Sequence, residues 1–290
     1  MKTDPIAFKF VRDVVFEDVG IVLTADQDYL VEVRLGAIFR RENLDGIRAL
    51  VERLAREARE AGGQTGSRGS LRREVVEAFT TNETSFFRDP SAFHVFQTAV
   101  LPELLAARAH QRSLNIWSAA CSSGQEVFTT AMILDEHFPA LARDGWQLRL
   151  YATDFSAAMV ERVGQGRFTQ FEVNRGLPAQ LLVRYFHRDG LDWIFSENLR
   201  QQVFVSTLNL LEPFPAYWPK LDVVFLRNVL IYFDDATKTQ ILERVHRMLQ
   251  PDGYLILGAA ETPTFYSGCF GPERHGANVV YRPVPAEARV

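Results

Sequence analysis

Polar and charged side chains stand where apolar, strand-like runs of this sequence end. Asp154 follows "LRLYAT", and Arg227 with Asn228 follows "LDVVFL". A carboxylate in such a position can accept two hydrogen bonds from the vicinal hydroxyls of a ribose. The alternative makes Asp154 the N-cap of the helix that follows, although Ser156 can cap that helix instead. Asp154 therefore indicates a nucleoside-type ligand. This signal alone also fits NAD enzymes.

The stretch "NIWSAACSSGQEVFTTAMIL" (Asn115–Leu134) begins like a strand, passes through small residues and ends like a helix. Pyrophosphate cofactors favour G-x-G-x-x-G in such a loop, whereas only Gly124 is present here. Small residues with one glycine suit a ligand that lies against the backbone and carries no phosphate. Glu126 has two interpretations: it completes a capping box with Ser123, or it is aimed at a ligand ammonium or sulfonium.

Three further stretches contain candidate site residues. In "FLRNVLIYFD" the polar groups of Arg227 and Asn228 interrupt an apolar run and need partners if they are buried, and Tyr232 either packs in the core or faces the site. Asn209 in "TLNLLEPFP" contacts a base or caps a turn. Arg88 in "FTTNETSFFRDP" is an ordinary surface arginine or reaches into a cleft between domains.

Composition and charge limit the possible functions. The chain has 290 residues, of which 47% are hydrophobic and 23% are charged, as in soluble globular proteins. A net charge of -4 offers no basic field for a polyanion, so we expect no nucleic-acid partner. Cys121 and Cys269 form no CxxC pair, and we expect no metal. The sequence has no apolar signal core and no window that could span a bilayer, so we expect a cytoplasmic protein without membrane insertion.

The first ~75 residues are rich in Leu, Ala, Arg and Glu and are typical of helices. The composition of Ala61–Ser70 ("AGGQTGSRGS") predicts a flexible interruption, and a further helix is predicted over Leu71–Phe79. The front part of the chain is therefore predicted to be all-helical.

From about Leu114 strand-like runs alternate with helical segments. Strands are predicted at "LNIWSA", "LRLYAT", "LDVVFLRN" and "GYLILGA". Helices are predicted over Glu126–Phe138, Ala157–Val163 and Asp235–Leu249, and a turn is predicted at Pro251–Gly253. This alternation predicts a mostly parallel α/β sheet with helices on both faces, whose ligand lies beyond the carboxyl ends of the strands.

Seven stretches of the chain, in their order, resemble those of the CheR-type protein-glutamate O-methyltransferases, the chemotaxis receptor methyltransferases that use S-adenosylmethionine. These stretches are "TTNETSFFRDP", "IWSAACSSGQE", "YATDFS", "LLVRYF", "LNLLEPFP", "LDVVFLRNVLIYFD" and "GYLILGAAE". Each motif is weak by itself, whereas the ordered set, which spans Phe79–Glu261, is specific.

The resemblance implies an all-helical N-terminal domain (1–80) and a Rossmann-like α/β methyltransferase domain (81–290). The second domain would have a mixed seven-stranded sheet and a small inserted antiparallel β-subdomain near 168–204. The implied reaction transfers a methyl group from S-adenosylmethionine to glutamate side chains of a chemoreceptor. It forms methyl esters for sensory adaptation and releases S-adenosylhomocysteine.

The resemblance also implies a set of site residues. The implied cofactor contacts are Asn82, Thr84, Arg88, Glu126, Asp154, Asn209, Leu210, Asn228 and Val229. Arg88 and Tyr232 are the candidate catalytic residues, which would steer the glutamate or the methionine end of the cofactor.

Some features depart from the family pattern. Gln125 stands where the family usually has the first of two glutamates, and Ser85 stands where an aromatic residue is usual. The front-domain helix thought to meet the acidic receptor contains Asp26, Asp28 and Glu32 beside its arginines. The loop "FHRDGLDWIFSENL" is short compared with family members that tether to a receptor's C-terminal pentapeptide. This predicts pentapeptide-independent action on the cytoplasmic helical domain of methyl-accepting chemoreceptors.

Three other functions are compatible with parts of the sequence. They are a methyltransferase acting on a small molecule or RNA, a non-catalytic module that binds S-adenosylmethionine, and an NAD-dependent oxidoreductase. The helical front domain and the inserted subdomain favour a protein substrate, and the mild acidity disfavours RNA. The single-glycine loop disfavours NAD.

Overall fold

The computed structural model describes residues 4–60, 70–262 and 268–285. The interruption predicted over Ala61–Ser70 lies outside the described residues, except that a helix begins at Ser70. The chain divides into two compact units. The first consists of Met1–Thr81 and Tyr232–Asp234, and the second consists of Asn82–Ile231 and Asp235–Val290.

The described part of the first unit is built from helices, with one short 3₁₀ turn. The helices are α1 (Pro5–Val19), α2 (Leu30–Arg41), α3 (Ile47–Glu60) and α4 (Ser70–Phe79). Their apolar faces are buried against one another, and Val11, Leu35 and Leu50 are fully shielded from solvent. The predicted all-helical front is therefore confirmed. Asn43 and Gly46 adopt left-handed backbone conformations between α2 and α3 and separate the two helices.

Ten strands occur in the described part of the second unit. In chain order they are β1 (Ser113–Ala119), β2 (Gln147–Asp154), β3 (Arg167–Thr169), β4 (Phe186–Asp189), β5 (Asp192–Phe195), β6 (Val203–Thr207), β7 (Leu221–Leu226), β8 (Leu249–Leu257), β9 (Phe270–His275) and β10 (Asn278–Pro283). Seven strands form one sheet in the order β6-β2-β1-β7-β8-β10-β9. The first five of these run parallel, and β10 pairs antiparallel with both β8 and β9. The predicted mixed seven-stranded sheet is confirmed.

The inserted subdomain is a separate antiparallel sheet in the order β3-β5-β4. Its rings pack on the start of the second unit, since Phe86 lies 5.0 Å from Phe168 and 5.7 Å from Phe186 between ring centroids. The predicted small antiparallel insertion is therefore present, with its strands within 167–195.

Helices cover the sheet of the second unit. In its described part they are α5 (Pro90–Val95), α6 (Leu101–Ala107), α7 (Gln125–His137), α8 (Ala140–Arg143), α9 (Ala157–Gln165), α10 (Gln170–Val173), α11 (Ala179–Tyr185), α12 (Glu197–Arg200) and α13 (Asp235–Met248). A π-helical turn, Phe96–Val100, joins α5 to α6. The central strand β7 is buried along its whole length, as is typical of parallel strands covered on both faces.

The turn predicted at Pro251–Gly253 is wrong. These residues belong to β8, which already begins at Leu249. The pairing of β8 with β7 jumps between the first and second partners, and the extra residues form a bulge in the strand. Proline and glycine correctly indicate an interruption of regular structure, but it is a bulge within the sheet and not a turn before it.

Candidate functional site

The carboxyl ends of four parallel strands, β6, β2, β1 and β7, meet at one edge of the large sheet. Thr207 pairs with Asp154, and Ser118 pairs with Phe225. Strands β1 and β2 are in register along the whole of β1. The loops that follow these strands therefore lie side by side, as expected for an open α/β sheet.

The loop between β1 and α7 turns sharply. Ala120, Ser122 and Gly124 have φ values of 53°, 51° and 93°, which non-glycine residues rarely adopt. A Cβ atom on Gly124 would lie 3.0 Å from the ring of Phe128 and 3.1 Å from Val163. Glycine is therefore required at 124 for both conformation and space. A concentration of strained backbone is typical of a functional loop.

Of the two interpretations of Glu126, the capping box with Ser123 is not the one that the structure adopts. Helix α7 begins after Gly124, which is the N-cap and provides no side-chain bond. Glu126 instead accepts hydrogen bonds from Ser118 Oγ at 2.6 Å and from Arg227 Nη1 at 2.9 Å. Its carboxylate therefore bonds side chains from β1 and from the loop after β7, rather than the amides of its own helix.

Asp154 is buried at the end of β2 and organises the loops on both sides. Its Oδ2 accepts from the amide of Ser122 at 2.8 Å, and its Oδ1 accepts from the amide of Ser156 at 2.9 Å. Ser156, as the sequence predicted, is the N-cap of α9, where its hydroxyl accepts from the amide of Met159. These two backbone bonds orient the carboxylate at the end of β2.

Arg227 lies in the loop after β7 and connects it to the first turn of α7 and to the loop over 82–89, from a buried position with 2% of its side chain exposed. Its Nη1 donates to Glu126, and its Nη2 donates to the carbonyl of Arg88 at 2.6 Å and to Asp89 Oδ2 at 2.9 Å. The guanidinium carbon lies 5.2 Å from the ring centroid of Phe93, and Nε is buried without a hydrogen-bond partner. The carboxylates of Glu126 and Asp89 therefore compensate the guanidinium charge, and one hydrogen bond, to the carbonyl of Arg88, goes to loop backbone.

The loop over 82–89 is held by its backbone. The carbonyl of Asn82 accepts from Ser122 Oγ at 2.7 Å. The amide of Phe87 donates to Thr129 Oγ1 at 3.2 Å. These two bonds join the loop to the turn after β1 and to α7.

Arg88 lies between two residues with strained backbone, since Phe87 and Asp89 have φ values of 49° and 53°. Its side chain is half-buried, and Nη1 donates to the carbonyl of Glu83 at 2.8 Å. Thr84 in the same loop is also half-buried. Such conformations persist only where the surrounding structure over-determines them, so the backbone on either side of Arg88 has a defined path.

Asn228 and Val229 follow β7 and are held by a residue to which the sequence analysis assigned no role. Their backbone amides donate to the two carboxylate oxygens of Glu261, at 2.7 and 2.9 Å. Asn228 has a φ of 58°. Glu261 follows shortly after the apolar run of β8, and Asp154 ends the apolar run of β2. A carboxylate after an apolar, strand-like run is the signal that could have identified Glu261.

Asn209 and Leu210 lie in the loop after β6. Asn209 Oδ1 accepts from the amide of Leu211 at 3.0 Å, so the turn-capping interpretation of this residue is correct for its oxygen. Leu210 is buried, and its carbonyl accepts from Arg244 Nη1 at 2.8 Å. Both residues therefore sit in a loop with a defined path.

Tyr232 belongs to the first unit, unlike the other predicted site residues. It ends a 3₁₀ helix, Leu230–Tyr232, and its side chain is half-buried. Its carbonyl accepts from the amide of Val22 at 2.9 Å. A tyrosine contact with the other site residues stays a prediction.

The loop after β1 lies in an acidic environment. Burial, with the charges of Asp154 and Glu126, raises the pKa of the Cys121 thiol well above its ordinary value of 9.0. The thiol is therefore neutral at physiological pH. The same negative potential favours a cationic ligand over an anionic one.

Gln125 occupies the position at which the sequence departs from the family pattern. It is almost fully buried, and its Oε1 accepts from Ser123 Oγ at 2.8 Å. A neutral amide in this position avoids burying a second carboxylate beside Glu126.

The described ranges show neither a metal cluster nor a membrane-spanning helix. Within 4–60, 70–262 and 268–285 no group of three or more His, Cys, Asp and Glu residues is arranged to hold a metal ion. Among these same residues, no helix combines the length and apolarity that crossing a bilayer requires.

Comparison with known proteins decides the family. Residues 82–266 match the family described as the CheR methyltransferase, SAM binding domain. The chain belongs to the CheR methyltransferase family. It is 40% identical to chemotaxis protein methyltransferase 1 of Pseudomonas aeruginosa over 256 residues, covering 88% of this chain and 89% of that protein. It is 38% identical to chemotaxis protein methyltransferase Cher2 of Pseudomonas putida over 263 residues, covering 90% and 92%.

A third relative, chemotaxis protein methyltransferase 1 of Vibrio cholerae, is 34% identical over 268 residues, which cover 91% of each chain. The similarity to these relatives therefore extends over the helical front as well as over the family domain. The chain is an S-adenosylmethionine-dependent methyltransferase.

The groups at the sheet edge of this CheR-family methyltransferase fit its cofactor. S-adenosylmethionine has a ribose diol, an ammonium and a sulfonium but no phosphate. The edge offers the carboxylates of Asp154 and Glu126, together with a tight loop in which a Cβ atom at Gly124 would find no space. Hydrogen-bond acceptors and negative charge therefore match the cationic nucleoside, and no phosphate cradle is required.

Sequence reasoning missed the residues of this CheR-family site that position others. Ser118 and Ser122 bond Glu126 and Asp154, respectively, and no local pattern distinguishes them from other serines. Arg227 stands out in the sequence as a charge within an apolar run, but its carboxylate partners are distant in the chain. Among these residues, only Glu261 has a local sequence signal, since it is a lone charge after an apolar, strand-like run.

Proposed function

We propose that this methyltransferase acts on glutamate side chains in the cytoplasmic helical domain of methyl-accepting chemoreceptors. The products are glutamate methyl esters, which serve sensory adaptation, and S-adenosylhomocysteine. The observation that carries the proposal is a pair of carboxylates beside neighbouring strand ends in a member of the CheR family: buried Asp154 at the end of β2 and partly buried Glu126 in the first turn of α7.

In this proposal the two carboxylates hold opposite ends of the cofactor. Asp154 accepts hydrogen bonds from the ribose hydroxyls, and its two backbone bonds keep the carboxylate oriented for this task. Glu126 faces the ammonium of the methionine end, while Arg227 and Ser118 fix its orientation. The remaining contacts come from loops at the same edge: Asn82, Thr84, Arg88, Asn209, Leu210, Asn228 and Val229.

The reaction requires little acid–base catalysis from the protein. When bound, S-adenosylmethionine supplies an electrophilic methyl group on a sulfonium, which leaves as a neutral thioether when the ester bond forms. A glutamate has an ordinary pKa of about 4.3, so the attacking oxygen is already ionised near neutral pH and this chain needs no general base. Alignment of the two reactants is the main contribution, and it can lower a barrier by roughly 7–11 kcal/mol.

Arg88 and Tyr232 are the proposed residues for this alignment. The hydrogen bond from Nη1 of Arg88 to the carbonyl of Glu83 supports a defined position for its guanidinium. Orientation is the better role for this arginine, because a strong ion pair with the substrate glutamate would weaken the nucleophile. Tyr232 would donate a hydrogen bond from its hydroxyl to the methionine end of the cofactor or to the substrate glutamate.

Receptor recognition is proposed to be independent of a C-terminal pentapeptide. The hairpin of β4 and β5 is closed by the two residues Gly190 and Leu191, which supports this proposal because it adds no extended loop. Within the first unit, Arg34 donates to the carbonyls of Ala78 and Thr80, at 3.0 and 2.7 Å. This arginine is therefore already engaged, and the charge of α2 is a weaker basis for binding an acidic receptor.

The test is transfer of an isotope-labelled methyl group to chemoreceptor-containing membranes. We expect label in the receptor band and its release as volatile methanol on mild alkaline treatment, which identifies an ester. Label that resists base would instead indicate methylation of nitrogen or another atom. A complete absence of transfer, with S-adenosylhomocysteine still bound, would favour a non-catalytic binding module.

Two variants, one control variant and a truncated receptor extend the test. Arg88→Ala and Tyr232→Phe should lower turnover on receptor while the circular dichroism spectrum stays that of the wild type. Arg143→Ala, at an exposed position of α8, should retain full turnover. Receptor lacking its last five residues should be methylated at the rate of the intact receptor; a large fall in rate would remove the pentapeptide-independent part of the proposal.

A further inference from the structure

Glu261 is buried just after β8, and its carboxylate accepts four backbone hydrogen bonds. Oε2 accepts from the amides of Asn228 at 2.7 Å and Gly258 at 2.8 Å. Oε1 accepts from the amides of Val229 at 2.9 Å and Leu230 at 2.8 Å. Four donors match the acceptor capacity of an ionised carboxylate, so Glu261 acts as an internal anchor and not as a ligand contact.

Three of these donors are consecutive, so one carboxylate determines the path of the chain where β7 ends. Asn228 has a φ of 58°, in the region that side-chain-bearing residues rarely adopt. Such a conformation persists only where the surrounding structure over-determines it. The bonds from 228, 229 and 230 to Glu261 provide that determination.

Gly258 provides the space for this arrangement. A Cβ atom at this position would lie 2.7 Å from Glu261 Oε2 and 2.7 Å from Asn228 Nδ2. Both distances are shorter than real Cβ contacts, so a side chain here would displace the carboxylate or the asparagine amide. The end of β8, the anchor and the Asn228 side chain are therefore packed as one group.

We propose that Glu261 is a positioning residue for S-adenosylmethionine. It holds Asn228 and Val229 in the backbone conformation in which they contact the cofactor. The inference rests on the proposed cofactor contacts. Because Glu261 acts through the loop and does not touch the reacting atoms, its loss should weaken cofactor binding more than it slows a saturated enzyme.

Glu261→Gln is the direct test, since it keeps the size of the side chain. The amide replaces one acceptor oxygen with an NH₂ group that faces two backbone N–H groups. We expect the Kd for S-adenosylhomocysteine, measured by calorimetry on the full chain, to rise about tenfold or more. The KM for S-adenosylmethionine should rise by a similar factor, while kcat at saturation changes less than about twofold.

Asp222→Asn is the matched control for a merely structural effect. Asp222 is also buried, lies at the other end of β7, and accepts from the amide of Asn115 at 2.7 Å and from Arg108 Nε at 2.8 Å. This variant should lower the free energy of unfolding without changing the Kd. Hydrogen exchange should show lost protection at the amides of 228–230 in Glu261→Gln but not in the control.

Each outcome decides between the inference and the proposed function. An unchanged Kd and unchanged exchange at 228–230 in folded Glu261→Gln would overturn the positioning role and leave the proposed function standing. Wild-type protein that binds S-adenosylhomocysteine but methylates no receptor removes the proposed substrate and leaves the positioning role supported if the Kd shifts. Wild-type protein that does not bind S-adenosylhomocysteine overturns both. If Glu261→Gln does not fold, Gly258→Ala takes its place, and we expect the same increase in Kd. An unchanged Kd and unchanged exchange at 228–230 in that variant would overturn the positioning role.

Discussion

Arg227, which is buried, and Glu126, which is partly buried, form an ion pair that joins the loop after β7 to the first turn of α7. Nη1 lies 2.9 Å from Oε2, with 2% of the arginine side chain and 13% of the glutamate side chain exposed. The glutamate is thus both a proposed ligand contact and the partner of a charge that has no access to water. Its carboxylate cannot be altered without affecting the arginine, so binding and stability are linked at this point.

Removing the arginine should therefore be costly. Arg227→Met leaves the Glu126 carboxylate without its charged partner in a low-dielectric site, and we expect a loss of about 3–5 kcal/mol in the free energy of unfolding. Adding Glu126→Gln should recover part of that loss, because the remaining group is then neutral. Urea denaturation of the wild type, both single variants and the double variant measures this coupling.

An exposed pair provides the control for this cycle. Arg53 and Glu57 lie four residues apart on α3, with 44% and 29% of their side chains exposed. The corresponding substitutions there should change stability by less than about 0.5 kcal/mol. Equal losses at the two sites would mean that burial does not strengthen the Arg227–Glu126 pair.

Asp154 should govern cofactor affinity. Asp154→Ala removes the proposed ribose acceptors and also the bonds to the amides of Ser122 and Ser156. Hydrogen bonds to a charged group contribute about 1.5–3 kcal/mol each, so the Kd for S-adenosylhomocysteine should rise at least about tenfold. Calorimetry measures the effect, and Asp144→Asn, at an exposed position after α8, should bind as the wild type does. Wild-type affinity in Asp154→Ala would remove the ribose role.

Gly176 and Phe86 make a very close backbone contact. A Cβ atom at 176 would lie 2.0 Å from the carbonyl oxygen of Phe86, and the φ of Gly176 is 83°. In the same region Arg175 forms an ion pair with Glu83. The loop that contains Arg88 is therefore fastened to the segment that follows α10, between strands β3 and β4 of the inserted subdomain.

Gly176→Ala should destabilise the protein and disturb this loop. The left-handed conformation costs about 1–2 kcal/mol and the clash costs a further ~1–3 kcal/mol. Gly190→Ala is the matched control, because Gly190 has a φ of 61° but a Cβ atom there would meet no atoms within 4 Å. The difference in free energy of unfolding between the two variants isolates the clash. Similar losses would show that the contact with Phe86 relaxes without cost.

The stability of the second unit should depend on pH through Asp252. The hydrogen bonds from Arg108 lower the pKa of Asp252 below its ordinary value of 3.8. The folded state therefore binds fewer protons than the unfolded state in this range, and the contribution of Asp252 is complete above about pH 4 and lost as the pH falls through the folded pKa. Because 47% of the side chain is exposed, the effect should stay below about 1 kcal/mol.

Two variants test this dependence by urea unfolding across a pH series. Asp252→Asn should lose less stability than the wild type on acidification. The pKa of Asp222 is shifted in the opposite direction, because burial raises it despite the bonds to Asn115 and Arg108. The contribution of Asp222 to the free energy of unfolding therefore grows as the pH falls through the folded pKa. Asp222→Asn should therefore lose more stability on acidification than the wild type. Parallel curves for all three proteins would contradict both assignments.

The strands and helices of the second unit were predictable because burial imposes long local patterns. Strand β7 is buried at every position and is apolar in all but one, so its sequence alone indicates a covered parallel strand. Asp154 was placed at a strand end for the same reason. The helix N-cap at Ser156 was equally local, since its bond goes to Met159, three residues away.

Side-chain partners that are distant in the chain were not predictable in this way. Ser123 and Glu126 have the spacing of a capping box, yet Glu126 bonds Ser118 and Arg227 instead. The choice depends on the buried positive charge of Arg227, whose need for a partner outweighs one helix-end hydrogen bond. The bulge in β8 has a similar origin, because the sheet can absorb residues that composition assigns to a turn.

Local chemistry was thus enough to assign the α/β class, the strand ends and the acidic character of the site, because each depends on residues that are neighbours in the chain. Tertiary packing alone decided that Arg227 pairs with Glu126, that Gly176 lies against Phe86 and that Glu261 holds the loop of Asn228. These contacts join segments separated by dozens of residues or more. Their energy comes from burying charges and backbone groups with suitable partners, and such partners exist only once the chain has folded.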